Sequence, residues 1–290
     1  DPSNFIKQVF MAKVLSALKP LETLPPLTAM VGVPGSYITG LARKDVQEAL
    51  QKLIDAGKGL EKWLASMEEC EQERLKLGLP NFMEGGAEAP FDIIGDKLRG
   101  THGIMTDMFR RPEKLLEAME RIIPVTLKGG IDASNQTGVP ISAFALHKGN
   151  DTFMSSKQFE TFYWPSLKKV LLGLIDEGLV PLLFAEGRYM TRLDIITDLP
   201  KGSVIWWFED IDMAKAKQIV GKVACIAGNL PTSVLCTGTP EDVKARCHEL
   251  IDIAGPGGGY ILAGGAGIDK GNPANLHAIM ETVKEYGVYR

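Results

Sequence analysis

From about residue 139 onward, short apolar runs alternate with longer stretches in which apolar residues return every three or four positions. The runs cover 140–146, 180–185, 203–208, 222–228 and 259–263. Each suits a strand buried on both faces better than a helix. The intervening stretches carry helix punctuation. Ser155 opens one that runs through Leu174 and stops at Glu177 and Gly178. Between Pro240 and Ala254, the residues Val243, Cys247, Leu250, Ile251 and Ala254 share one helical face. A last helix runs from Pro273 to Tyr286, with Pro in its first turn and Gly287 after its end. This alternation predicts βα units around a parallel sheet, either a barrel or an open doubly wound sheet.

The first half carries less periodicity. Helices are predicted over residues 5–18 and from Lys44 to about Cys70. The stretch from Asn81 to Arg111, with Gly85, Gly86, Gly95, Gly100 and Gly103, reads as a glycine-rich loop region and as a lid or substrate loop. No repeat or linker interrupts the chain, so residues 1–290 are expected to form a single barrel domain. The chain opens at Asp1 without Met, directly in a helix-like stretch, which leaves room for a preceding N-terminal segment.

Composition narrows the function classes. Of 290 residues, 45% are hydrophobic, and 32 basic against 36 acidic side chains leave a formal charge of −4 with no Lys/Arg block. Nucleic acid is excluded as the expected partner. No apolar run approaches the roughly 18 residues of a membrane span, and no secretory pattern opens the chain, so a cytoplasmic location is expected. The four cysteines, Cys70, Cys225, Cys236 and Cys247, are too scattered for a disulfide framework and read as thiols. The glycines 257–259 precede a strand and no Gly-Lys-Ser/Thr follows, which excludes a phosphate loop.

The strand ends carry an ordered series: VPLLFAEG at 180–187, AGNLP at 227–231, GTPEDV at 238–243 and GGGYIL at 257–262. Over roughly residues 112–286 this resembles the uroporphyrinogen-decarboxylase superfamily, and within it the corrinoid-dependent methyltransferases such as those of O-demethylation. The resemblance implies an α/β fold, a TIM-like (β/α)8 barrel whose active site lies at the carboxy-terminal strand ends. It also implies a methyl group moved from a small O- or N-methylated substrate, an aryl methyl ether foremost, to a corrinoid (cobalamin). No Asp-x-His-x-x-Gly signature is present, so the corrinoid is expected on a partner protein. A homodimer is a further open expectation.

Members that activate a thiol carry zinc on His-x-Cys and a later Cys. Here Phe184, Glu186 and Ala266 stand at or near those places. A different site is therefore expected, with His147 and Glu186 as catalytic residues. They would act either as hard ligands to zinc, with Cys236 as a third, or with Glu186 as a proton donor that needs no metal. Phe184, Tyr189, Arg188, Trp207, Glu209, Asn229 and His102 are the expected substrate-binding residues. Trp206 and Trp207 are adjacent on one strand, so at most one faces the barrel interior. Asp210 or Asp212 alternatively caps the helix that follows. Two other readings stay open: a porphyrinogen-type decarboxylase, for which Arg188, Arg192, Arg99, Arg110 and Arg111 are the candidate cations, and a non-catalytic accessory barrel.

Overall fold

The computed structural model describes residues 20, 39–79, 81, 85–268 and 271–288. The predicted helix over residues 5–18 lies outside them. The chain divides into two compact units, Asp1–Pro80 and Asn81–Arg290, where one domain was expected. The first contains helix α1, Lys44–Lys76, whose buried residues are Val46 and Ala49.

The second unit holds six strands: β1 Gly85–Ala87, β2 Ile141–Leu146, β3 Val180–Arg188, β4 Ile205–Asp210, β5 Cys225–Gly228 and β6 Tyr260–Ile261. All pair in parallel, and each pairs with its successor in the order β1-β2-β3-β4-β5-β6. A doubly wound sheet reverses its order at a switch point, whereas a TIM-like barrel wall runs through its strands in sequence. The fold is therefore α/β and TIM-like, with six wall strands among the described residues.

The connections are helical: α2 Gly100–Arg110, α3 Pro112–Thr137, α4 Trp164–Asp176, α5 Met213–Ile219, α6 Pro240–Ala254 and α7 Pro273–Tyr286. The boundaries of α6 and α7 coincide with their sequence punctuation. Thr239 and Asp242 form a capping box at the start of α6, and Asn272 caps α7. Asp212, not Asp210, caps α5 through the backbone N–H of Lys215. The helix opened by Ser155 contains a π-helical turn, Phe159–Tyr163, before α4 begins. Phe159 and Tyr163 are both fully buried there.

The segment from Asn81 to Arg111 is not the glycine-rich loop its composition suggested. It contains β1, a short helix Pro90–Ile93, a π-helical turn Ile94–Leu98 and α2. Its glycines include one that serves close packing. A Cβ on Gly95 would stand 2.9 Å from Lys148 Cδ, so the missing side chain lets this segment approach the end of β2.

Side-chain alternation sorts the sheet into two faces. Leu146, Leu183, Ala185, Trp206 and Phe208 are buried on the helix side, where Trp206 meets Trp164 at 6.3 Å between ring centroids. On the other face, Ala145, Phe184, Trp207 and Ala227 lie level across β2 to β5. Two residues further along come His147, Glu186 and Glu209, which brings charge to the carboxy-terminal edge.

A buried arginine locks the loop beyond β3. Arg192 has no exposed surface. Its guanidinium donates to the carbonyls of Gly149 at 3.1 Å and Met154 at 2.5 Å and to Ser156 Oγ at 3.0 Å, and it lies 4.8 Å over the Phe159 ring. Replacing it strands these acceptors and the nearby Asp151 carboxylate. Arg192→Met is expected to lower the unfolding free energy in urea by roughly 3–5 kcal/mol. A loss below about 0.5 kcal/mol would show that water substitutes for the guanidinium.

Candidate active site

The carboxy-terminal edge gathers five titratable side chains from three segments. His147 follows β2 directly, and Lys148 stands next to it. Glu186 comes from β3. Asp92 and Asp96 come from the helical segment after β1. His147 Nδ1 lies 2.8 Å from Asp96 Oδ2, and His147 Nε2 lies 3.8 Å from Glu186 Oε1. Asp96 Oδ1 also accepts from the ammonium of Lys148, whose side chain is only 7% exposed.

Asp92 is the buried member. Its carboxylate accepts the backbone N–H groups of His147 and Lys148, each at 3.1 Å, and the Tyr163 hydroxyl at 2.5 Å. One side chain thereby closes the turn at the end of β2 and fixes it to the π-helical turn behind.

These surroundings set the protonation states. Burial pushes Asp92 up to about 7, against the Tyr163 hydrogen bond and the charges of His147 and Lys148. Burial works against ionisation of Asp96 as well, but hydrogen bonds from Lys148 and His147 outweigh it and hold Asp96 below the ordinary carboxylate value. For His147, burial disfavours the imidazolium, yet the Asp96 hydrogen bond and the charges of Glu186 and Asp92 raise its pKa overall. Glu186 is raised chiefly by burial, with Glu209 and Asp96 adding to the shift and His147 opposing it. A histidine–aspartate pair therefore stands beside a carboxyl whose pKa lies above its ordinary value.

The wall below this cluster is aromatic. Phe184 and Trp207 meet at 4.5 Å between ring centroids, and the Trp207 indole N–H donates to the Gly264 carbonyl at 2.7 Å, which fixes the ring. Glu209 lies on the same face, and its Oε2 accepts the Gly187 N–H at 2.6 Å. Gly187 has φ +77, a conformation that other residues adopt at a cost.

The other expected site residues are placed differently. Tyr189 is fully buried on the helix side and donates to the Leu146 carbonyl at 3.2 Å, so it presents no surface to a ligand. Arg188 is exposed and pairs with Asp210 at 3.1 Å. Asn229 is buried and donates to the Ile211 carbonyl at 2.9 Å, which ties together the turns after β4 and β5. His102 is exposed on α2, and Cys236 is exposed on the short helix Thr232–Thr237. Asp92 and Asp96 were not among the expected residues. The sequence signal for them is their place in the glycine-rich segment that reads as a lid or substrate loop.

His147 and Glu186 supply two donors, and His147 has the carboxylate partner typical of a metal-bound imidazole. No group of three His, Cys, Asp or Glu side chains able to hold a metal occurs among the described residues, and Cys236 does not complete one. A structural or catalytic zinc site needs three or four protein ligands. These residues do not fit zinc.

The raised Asp92 has a consequence for stability. The folded state retains its proton from the unfolded value of 3.8 up to about 7, so it binds more protons than the unfolded chain over that interval. This contribution is fully present below pH 4 and is lost as pH rises through 7. In urea melts from pH 4.5 to 7.5, the wild type is expected to lose stability relative to Asp92→Asn, by a few kcal/mol at most. Parallel pH profiles for the two proteins would refute this assignment.

Comparison with known proteins follows the same architecture. The model of the family described as uroporphyrinogen decarboxylase (URO-D) matches residues 26–286. The uroporphyrinogen decarboxylase of Neisseria meningitidis is 25% identical over 221 residues, covering 70% of this chain and 54% of that protein. The enzyme of Nitrosococcus oceani is 26% identical over 212 residues, covering 71% and 55%. The chain thus spans about half the length of the curated relatives it matches. Among solved structures, a methyltransferase from Methanosarcina mazei shares the fold at a TM-score of 0.59 and 21% identity, covering 74% of this chain and 62% of that one. With sequential parallel strands, charge gathered at their carboxy-terminal ends and a family match along nearly its whole length, the chain belongs to the uroporphyrinogen decarboxylase (URO-D) family.

Proposed function

We propose that this chain is a methyltransferase that takes a methyl group from a small O- or N-methylated compound, an aryl methyl ether foremost, and passes it to a corrinoid on a partner protein. The observation that carries this reading is Glu186, a carboxyl that burial raises above its ordinary value, standing on the same face as the paired rings of Phe184 and Trp207. The corrinoid supplies the cobalt that accepts the methyl group.

The residues of this chain deal with what is left behind. Loss of a methyl group leaves an aryl ether oxygen negative, and the Glu186 carboxyl can place its proton there as the bond breaks. The oxygen then departs as a phenol. Phe184 and Trp207 supply an apolar wall for the aryl ring, and the Trp207 indole is held in place by its own hydrogen bond. The carboxy-terminal edge, where substrate would enter, is the surface that would meet the corrinoid protein.

The decarboxylase reading draws on the curated relatives, which carry that name. A substrate with many carboxylates needs unpaired cations. Arg188 is tied to Asp210, Arg192 is buried against backbone carbonyls and Arg99 is bound to Asp107 at 2.6 Å, whereas Arg110 and Arg111 are exposed at the end of α2.

Purified protein mixed with a cobalt(I) corrinoid and a panel of methoxyaromatics and methylamines should give the methylcobalt absorbance with one donor class. Glu186→Gln is expected to lower the rate with an ether donor by about 10²-fold or more. Decarboxylation of uroporphyrinogen, with no methylation from any donor, would overturn the proposal.

A further inference from the structure

Asp92 and Asp96 converge on one turn, and the methyl-transfer reading gives neither a task. Asp96 engages the Nδ1 side of the His147 ring, which leaves Nε2 directed at Glu186. Lys148 neutralises Asp96 from a nearly buried position, so Asp96 remains an ionised acceptor. Asp92 accepts the backbone N–H of both His147 and Lys148 and so fixes the turn from which the imidazole projects. An imidazole oriented by a carboxylate at one nitrogen and facing an acid at the other is the arrangement that moves protons.

We propose that Asp96, His147 and Glu186 form a proton relay in which His147 restores the proton that Glu186 gives to substrate, with Asp96 as the positioning residue for the ring and Asp92 for its turn. The relay rests on the reading of Glu186 as proton donor. After donation Glu186 is a carboxylate. The His147 imidazolium breaks its Nε2–H bond and a new O–H bond forms on Glu186. The neutral imidazole keeps its Nδ1 proton on Asp96. At 39% side-chain exposure, the ring can then recover a proton from bulk water. The 3.8 Å between Nε2 and Oε1 exceeds a hydrogen bond, and a single bridging water or a turn of the Glu186 side chain closes it.

The groups that face His147 are Asp92 and Asp96 from the segment after β1, Lys148 beside it and Glu186 from β3. Glu209 on β4 acts on Glu186. Tyr163 and Tyr189 stand behind Asp92 and are neutral, because burial raises both hydroxyls well above their ordinary value.

The test is a pH titration by NMR of the whole chain labelled with carbon-13 in its histidine rings, with the His147 signal assigned through His147→Gln. It needs no substrate. In the wild type the midpoint of His147 is expected above that of a free imidazole. It should move down in Asp96→Asn, move down in Glu186→Gln and recover in Asp96→Glu. With an active donor, Asp96→Asn should also lower kcat by roughly tenfold or more while KM stays within about twofold. An unchanged His147 midpoint in a folded Asp96→Asn protein would overturn the relay. Shifted midpoints without methyl transfer from any donor would support the relay and remove the proposed substrate. Full methyl transfer by both His147→Gln and Asp96→Asn would overturn the relay and leave the proposed function standing.

Discussion

The carboxy-terminal edge depends on one buried carboxylate. Asp92 has no exposed surface, and it accepts two backbone N–H groups from the β2 turn and a hydroxyl from the π-helical turn. Burying a charge without partners is costly, whereas these donors compensate much of the cost and retained protonation relieves more. The same bonds hold three separate segments in one geometry. His147 and Lys148 project from the turn that Asp92 closes, and Asp96 meets both of them four residues further along the chain.

Above that anchor, the sheet imposes an ordering by level. Register across β2 to β5 places Ala145, Phe184, Trp207 and Ala227 side by side, and alternation brings charge two residues later. The aromatic wall and the charged rim are therefore successive levels on the same face. A small apolar molecule lying on the wall would present a heteroatom to the rim, a geometry that suits protonation of a leaving group. Membership of the URO-D family fixes the architecture, but barrels of this kind host many reactions. At the rim of this chain Asp96, Glu186 and Glu209 gather around His147, while Arg188 and Arg99 pair with Asp210 and Asp107 and Arg192 is held by backbone carbonyls.

Packing on the outer side of the sheet explains why that rim is steady. Trp206 and Phe208 stack at 6.0 Å, and Trp206 reaches Trp164 and Tyr189. Arg192 binds the loop beyond β3 to the segment 149–156. The turn after β2, which carries His147, and the end of β3, which carries Glu186, are thus braced from behind by an aromatic layer and a buried guanidinium.

The sequence by itself determined five of the six described strands, β2 to β6, because five short apolar runs separated by helical periodicity admit little else, and it determined α6 through the apolar spacing of one face and α7 through the Pro in its first turn and the Gly after its end. It also exposed His147 and Glu186, since a polar residue that ends a buried run stands at the strand's carboxy-terminal end. Only the tertiary structure decided that the strands pair in chain order, since pairing depends on contacts between segments tens of residues apart. It alone joined Asp92 and Asp96 to His147, across 55 and 51 positions. Their segment looked like a loop because glycine lowers local helix propensity. Long-range packing of Gly95 against Lys148 and the hydrogen bonds of Asp92 made it helical instead, and nothing in its local pattern records those contacts.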